Sequence, residues 1–159
     1  MIDKFQGHWR FLSNFYPCKI SDGIEYPSVE HYYVAMKVDD DQLINGKYYT
    51  PSDFREMISK VESPAIVKKI GKLVKVRKDW GSKKIHIMNW AVREKFKNKE
   101  LSEMLLSTGD VELIEGNTWG DTFWGVCNNK GKNHLGKILM EVRRELRGEK
   151  RVGLEQILK

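Results

Sequence analysis

The sequence predicts a mostly helical fold with a few short strands, held in one compact domain. Three observations carry this. Apolar residues recur at helical spacing, as in Ile85, Met88, Val92 and Phe96 and again in Leu135, Leu139, Val142 and Leu146. Strand-like patterns are short and confined to residues 15–27 and to "VELIEG" and "TFWGV". The 159 residues suit one sizeable core and would be cramped as two.

Each element has its own signal. "FYPCKI" and "IEYP" flank "SDG", whose Asp-Gly favours a hairpin turn. Ser28 then caps a helix reaching about Val38, with Val29, Tyr32, Tyr33 and Met36 as its core stripe. "DDDQLINGKYY" reads as a polar loop able to lie over a site. Thr50-Pro51 opens a helix, a cap followed by proline in the first turn with Asp53 at the positive end. Ser63-Pro64 repeats the device, ahead of Ile66, Val67, Ile70, Leu73 and Val74. Ser82 is placed to cap the helix that carries Ile85 to Phe96. "NKELSEMLLSTG" reads as a short helix closed by Gly109. Asn133 precedes the last helix as its cap. The charged tail, residues 149–159, follows a domain of residues 1–148, and its Leu154, Ile157 and Leu158 could dock.

The totals exclude several classes. Hydrophobic residues make up 40% and charged residues 31%, which fits a globular chain and not a disordered one. No apolar run approaches the roughly 18 residues of a membrane span, and no secretory leader is visible, so no membrane partner is expected. The two cysteines, Cys18 and Cys127, make no disulfide framework, and a reducing cytoplasm is the expected location. Histidines 8, 31, 86 and 134 show no metal spacing, and no metal or cofactor is expected. There is no G-x-S-x-G and no Cys-His pair. A net charge of +6 favours polyanionic partners or phosphate-bearing substrates.

Four stretches hold candidate chemistry, each with a plainer alternative. In "YPSVEHYYVAMK", Glu30 and Lys37 leave one helix face roughly 10 Å apart along the axis, spaced to grip two ends of a small molecule. The alternative is a solvated helix face. A lysine in an aromatic pocket can lose its proton and become a nucleophile. "EGNTWGDTFWG" packs Trp119 and Trp124, Asp121 and three glycines into eleven positions. It is either a ligand loop or a glycine-bearing turn whose tryptophans fill the core. "GKNHLG" leads into the last helix, whose first amides could meet a phosphate, and Arg143 either reaches an anion or lies along the surface. Between Lys68 and Lys84 stand eight Lys/Arg and one acid, Asp79, either a solvated face or a nucleic-acid surface.

In order, "FLSNFYP", "YPSVEHYYVAMK", "VRKDW", "MNWAVREKF", "LSEMLLSTGDVELIEGNTWGDTFWG" and "GKNHLGKILMEVRREL" resemble the NADAR (YbiA-like) family over about residues 11–146. The resemblance implies a mainly helical α+β fold in a single YbiA-like domain that hydrolyses N-glycosidic bonds. Its substrates would be ribosylamine intermediates of riboflavin synthesis or ADP-ribose on guanine, and DNA or RNA could carry the modified base. It also implies a site in which Lys37, Asp121 and Glu30 are catalytic. Asn14, Phe15, Tyr32, Trp80, Trp119, Trp124, Gly125 and Asn133 would bind substrate. Lys37 would act as nucleophile or electrostatic partner, Asp121 as acid/base, and Glu30 on ribose hydroxyls, with the roles of the two acids exchangeable. Where the family often has a second glycine after Trp124-Gly125, "VCNN" follows here, so a different leaving-group pocket is expected. Two other readings stand beside the enzyme: a non-catalytic ADP-ribose or NAD reader, and a basic nucleic-acid-binding module.

Overall fold

A computed structural model describes residues 1–159. The fold is mainly helical, as expected, and carries two small antiparallel sheets. The chain divides into two compact units, residues 14–95 and residues 1–13 with 96–159.

The unit 14–95 is built around one short helix. Strands β1 (Ile20–Ser21) and β2 (Glu25–Tyr26) form the expected hairpin, in which the Asp22 carboxylate accepts from Ile24 N at 3.1 Å and Gly23 takes φ 108°. Helix α1 (Val29–Ala35) follows, capped by Ser28, whose hydroxyl accepts from His31 N at 3.2 Å. Every residue of α1 is buried, charged ones included. It packs against α2 (Pro51–Lys60), α3 (Pro64–Gly71) and α4 (Trp80–Lys95), which explains a helix apolar nearly all round. Thr50 and Ser63 cap α2 and α3 through Asp53 N and Ile66 N, each with proline next.

Several expectations need correction. Helix α1 ends at Ala35, not near Val38. Lys37 lies in the tight turn beyond it, where its N–H donates to Val34 O at 3.0 Å. Residues 39–49 are no loop. Strands β3 (Gln42–Ile44) and β4 (Lys47–Tyr49) pair across Asn45-Gly46, both at positive φ, the geometry this dipeptide favours in two-residue hairpins. The stripe around α3 is only partly core: Val67 is buried, but Ile66 and Leu73 are more than half exposed. Helix α4 starts at Trp80, so Ser82 sits inside the first turn with its hydroxyl donating to Asp79 O.

In the other unit, α5 (Lys99–Ser107) is capped by Asn98 and ends at Gly109, φ 64°. Helix α6 (His134–Leu146) buries Leu135, Ile138, Leu139 and Val142, while Leu146 is at the surface. "VELIEG" and "TFWGV" contribute single bridges, Ile2 to Leu113 and Gly116 to Val126, and not strands. Arg143 is buried, and its Nη1 donates to Thr108 Oγ1 at 2.9 Å behind the end of α5, in place of the expected surface or anion role. In the tail, α7 (Leu154–Ile157) packs on α6, with Leu154, Ile157 and Leu158 half-buried. No helix is long and apolar enough to cross a membrane.

Candidate active site

In the unit 14–95 the side chain of Lys37 points into a slot of aromatic rings. Its Nζ lies 5.6 Å from the centroid of the Tyr33 ring and 5.8 Å from that of Trp80, and the centroids of the two rings are 5.0 Å apart. The third wall is the end of α3, where Gly71 O stands 3.5 Å from Nζ. Glycine eases this approach. A Cβ at residue 71 would lie 3.0 Å from Val34 Cγ2 and 3.3 Å from Lys37 Nζ.

This burial pushes the Lys37 ammonium below its ordinary value. The neighbouring Glu30 charge opposes the shift, and Lys84, Lys68 and Lys72 reinforce it. Glu30 itself is 9% exposed, so the solvated-face reading of this helix fails. Its N–H donates to Asn14 O at 3.1 Å, which ties the "SNF" turn to the start of α1. The Asn14 side chain donates to Met88 Sδ at 3.5 Å, and Phe15 is partly exposed with Lys68 Nζ 6.0 Å from its ring. A buried carboxylate, an amine whose charge is disfavoured by burial and two ring faces suit a polar, ring-bearing substrate.

Tyr32 does not join this slot. One residue turns an α-helix by about 100°, so Tyr32 faces Tyr26 and Trp90, with centroids at 5.5 and 5.0 Å. Tyr33 is the residue beside Lys37. The signal for it was spacing: three after Glu30 and four before Lys37 is one helix face.

The remaining sequence candidates lie in the other unit, on the loop 115–133. Asp121 Oδ1 accepts from Phe123 N at 3.1 Å and Trp124 N at 2.9 Å, so the carboxylate sets the turn that carries Trp124. Asn117, which sequence reasoning does not single out, holds the same turn from the other side. It donates to Asp121 O at 2.8 Å and accepts from Asp121 N at 3.0 Å. Gly125 packs where a side chain would collide with Glu115 O. Trp124 is half-buried with Phe123 edge-on at 4.7 Å, and Trp119 is 56% exposed.

Asn133 occupies the residue before α6, but in the left-handed region and without capping through its side chain. The side chain instead accepts from Glu115 N at 3.0 Å and donates to Leu113 O at 2.9 Å. The first amides of α6 are also engaged: His134 N donates to Phe123 O and Leu135 N to Trp124 O. The expectation that they would meet a phosphate is therefore overturned. No group of three or more His, Cys, Asp or Glu residues is placed to hold a metal ion.

A family model described as the NADAR domain matches residues 3–147. The chain is 39% identical over 145 residues to N-glycosidase YbiA of Escherichia coli K12, covering 87% of this chain and 82% of that protein. It is 39% identical over 153 residues to a riboflavin biosynthesis protein of Vibrio vulnificus, of whose length it spans only 38%. The NMR structure of E. coli YbiA superposes with a TM-score of 0.72 at 34% identity, covering 92% of this chain and 87% of the other.

Proposed function

Since the chain belongs to the NADAR domain family, we propose that it is an N-glycosidase that hydrolyses the bond between a ribose carbon and a nitrogen leaving group. Relatives named N-glycosidase support the reaction class, and the lysine slot supports a route. The observation that carries the reading is Lys37 Nζ held between Tyr33, Trp80 and Gly71 with the buried Glu30 nearby.

The chemistry follows from that placement. A glycosylamine opens to a chain form whose anomeric carbon is doubly bonded to nitrogen. The free amine of Lys37 adds to this carbon, and the leaving nitrogen departs with a proton from a carboxyl group. Water then adds to the resulting lysine imine, releasing the sugar aldehyde and restoring the amine. Burial serves this step because only the uncharged amine attacks, and the slot lowers the cost of losing the proton. Glu30, in the same unit as Lys37, orients the ribose hydroxyls and can supply the leaving-group proton. The ring faces of Trp80 and Tyr33 flank the lysine, and the cations of Lys68, Lys72 and Lys84 suit a phosphate-bearing substrate.

The substrate is a ribosylaminopyrimidine phosphate or an ADP-ribosylated guanine in nucleic acid. Incubating the protein with both, side by side, tests the proposal. Release of ADP-ribose with unmodified guanine left in the polymer, or of the aminopyrimidine with ribose phosphate, is expected from one of them. Tight binding of ADP-ribose with neither bond cleaved would favour a non-catalytic reader instead.

A further inference from the structure

We propose that Arg77 is a positioning residue that fixes Lys37 against Trp80 by clamping Asp79 and Asp39; this rests on Lys37 being the reacting amine. The need for such a device is visible in the chain. One wall of the slot, Trp80, begins α4 at the end of residues 75–79, which have no regular structure. Another, Lys37, sits past the end of α1 and lacks a helix to hold it. Aromatic contacts at 5–6 Å weaken quickly when a loop drifts.

Arg77 joins both walls. Its backbone N–H donates to Lys37 O at 2.8 Å. Its guanidinium forks onto Asp79, Nε to Oδ1 at 2.6 Å and Nη2 to Oδ2 at 3.1 Å. Nε also stands 4.0 Å from Asp39 Oδ2, two residues beyond Lys37. Its own carbonyl accepts from Trp80 N at 3.1 Å, and Asp79 O accepts from Ser82 N and Lys83 N to start the helix. Lys37, Asp39, Arg77, Asp79 and Trp80 thus form a closed circuit. The planar two-toothed fork is what a lysine at position 77 could not supply. The loop is further pinned by Gln42, whose side-chain amide bonds both ways to the Lys75 backbone, at 3.1 and 2.9 Å.

The consequence is read in how Lys37 titrates. The charged groups around it are Glu30 on α1, Lys68 and Lys72 from α3, and Lys84 on α4. Removal of Arg77 should act through geometry: a loosened Trp80 admits water, and the ammonium regains its hydration. The test is a 13C NMR titration of lysine Cε in the free protein, with the Lys37 signal assigned by its loss in Lys37→Ala. Arg77→Met and Arg77→Lys should each move the Lys37 midpoint upward, on the order of one pH unit. Both should lower kcat at neutral pH about tenfold, with KM changed less than about twofold. Asp79→Asn, which keeps the backbone links, should show the same shift, smaller in size. A midpoint unchanged in well-folded Arg77→Lys and Asp79→Asn would overturn the proposal. Because the titration needs no substrate, it stands apart from the glycosidase reading. Failure of that reading would appear as a wild type that cleaves nothing, whatever the Arg77 variants do to Lys37.

Discussion

At the scale of single residues, the slot is more legible in the sequence than the loop 115–133. Glu30, Lys37 and Trp80 lie in one unit, but Tyr33, beside the amine, reads as ordinary core because its neighbours are aromatic too. Asp121 and Asn133 show the opposite difficulty. Their residue types suit ligand binding, yet the bonds they make are to backbone groups of their own unit, and no local pattern announces such partners. Asparagine at residue 121 keeps one oxygen able to accept from Phe123 N and Trp124 N, while alanine keeps none. Asp121→Asn should therefore melt near the wild type and lose turnover by about 100-fold or more if the carboxyl moves a proton. Asp121→Ala should lose stability as well, by about 1–2 kcal/mol. Near-normal kcat in Asp121→Asn would reduce Asp121 to a turn-former and leave proton transfer to Glu30.

At the scale of elements, capping chemistry is the most legible feature. Ser28, Thr50 and Ser63 accept the bond expected of a cap, because a cap is set by a few neighbouring residues, whereas Ser82 and Asn133, expected as caps too, do not. The β3–β4 hairpin escapes sequence reading despite its Asn-Gly turn, since three residues a side, Gln-Leu-Ile and Lys-Tyr-Tyr, show no alternation to read. Helix α1 carries a pH-sensitive joint. His31 is 1% exposed, with Nε2 donating to Val61 O at 2.6 Å and Nδ1 accepting from the Ser28 hydroxyl at 2.6 Å. Burial holds its value below the ordinary 6.5, so the folded state refuses a proton that the unfolded chain accepts. Its contribution is fully present above about pH 6.5 and is lost as pH falls below that. Urea unfolding at pH 7.5 and 5.5 should show this loss, and His31→Gln should flatten it. An equal slope in the variant would assign the effect elsewhere.

At the scale of the whole molecule, the net charge of +6 has a local meaning. Lys68, Lys72 and Lys84, from the basic stretch, are close enough to bear on Lys37, so the stretch borders the slot and is more than a distant solvated face. Lys72, Lys75 and Lys83 are exposed. If the substrate is carried on a single-stranded nucleic acid, replacing these three with glutamine should weaken binding. The slope of log affinity against log salt should fall by about 0.7 for each phosphate that is no longer neutralised. Cleavage of a free nucleotide substrate should fall less than cleavage on the polymer, since of the three only Lys72 bears on Lys37. An unchanged slope on the polymer would leave the lysines without a carrier to hold and favour the free metabolite.

The proposed reaction turns on Lys37 attacking carbon. The measurement that meets it most directly is borohydride added during turnover, followed by mass spectrometry of the peptide containing residue 37, in the wild type and in Lys37→Arg. Arginine keeps the positive charge but cannot release its proton at working pH. A reduced sugar adduct is expected on Lys37 in the wild type and none in the arginine variant, which should be as inactive as Lys37→Ala. Substantial turnover in Lys37→Arg with no adduct in either protein would contradict attack by Lys37, and would leave the carboxylates to carry the reaction.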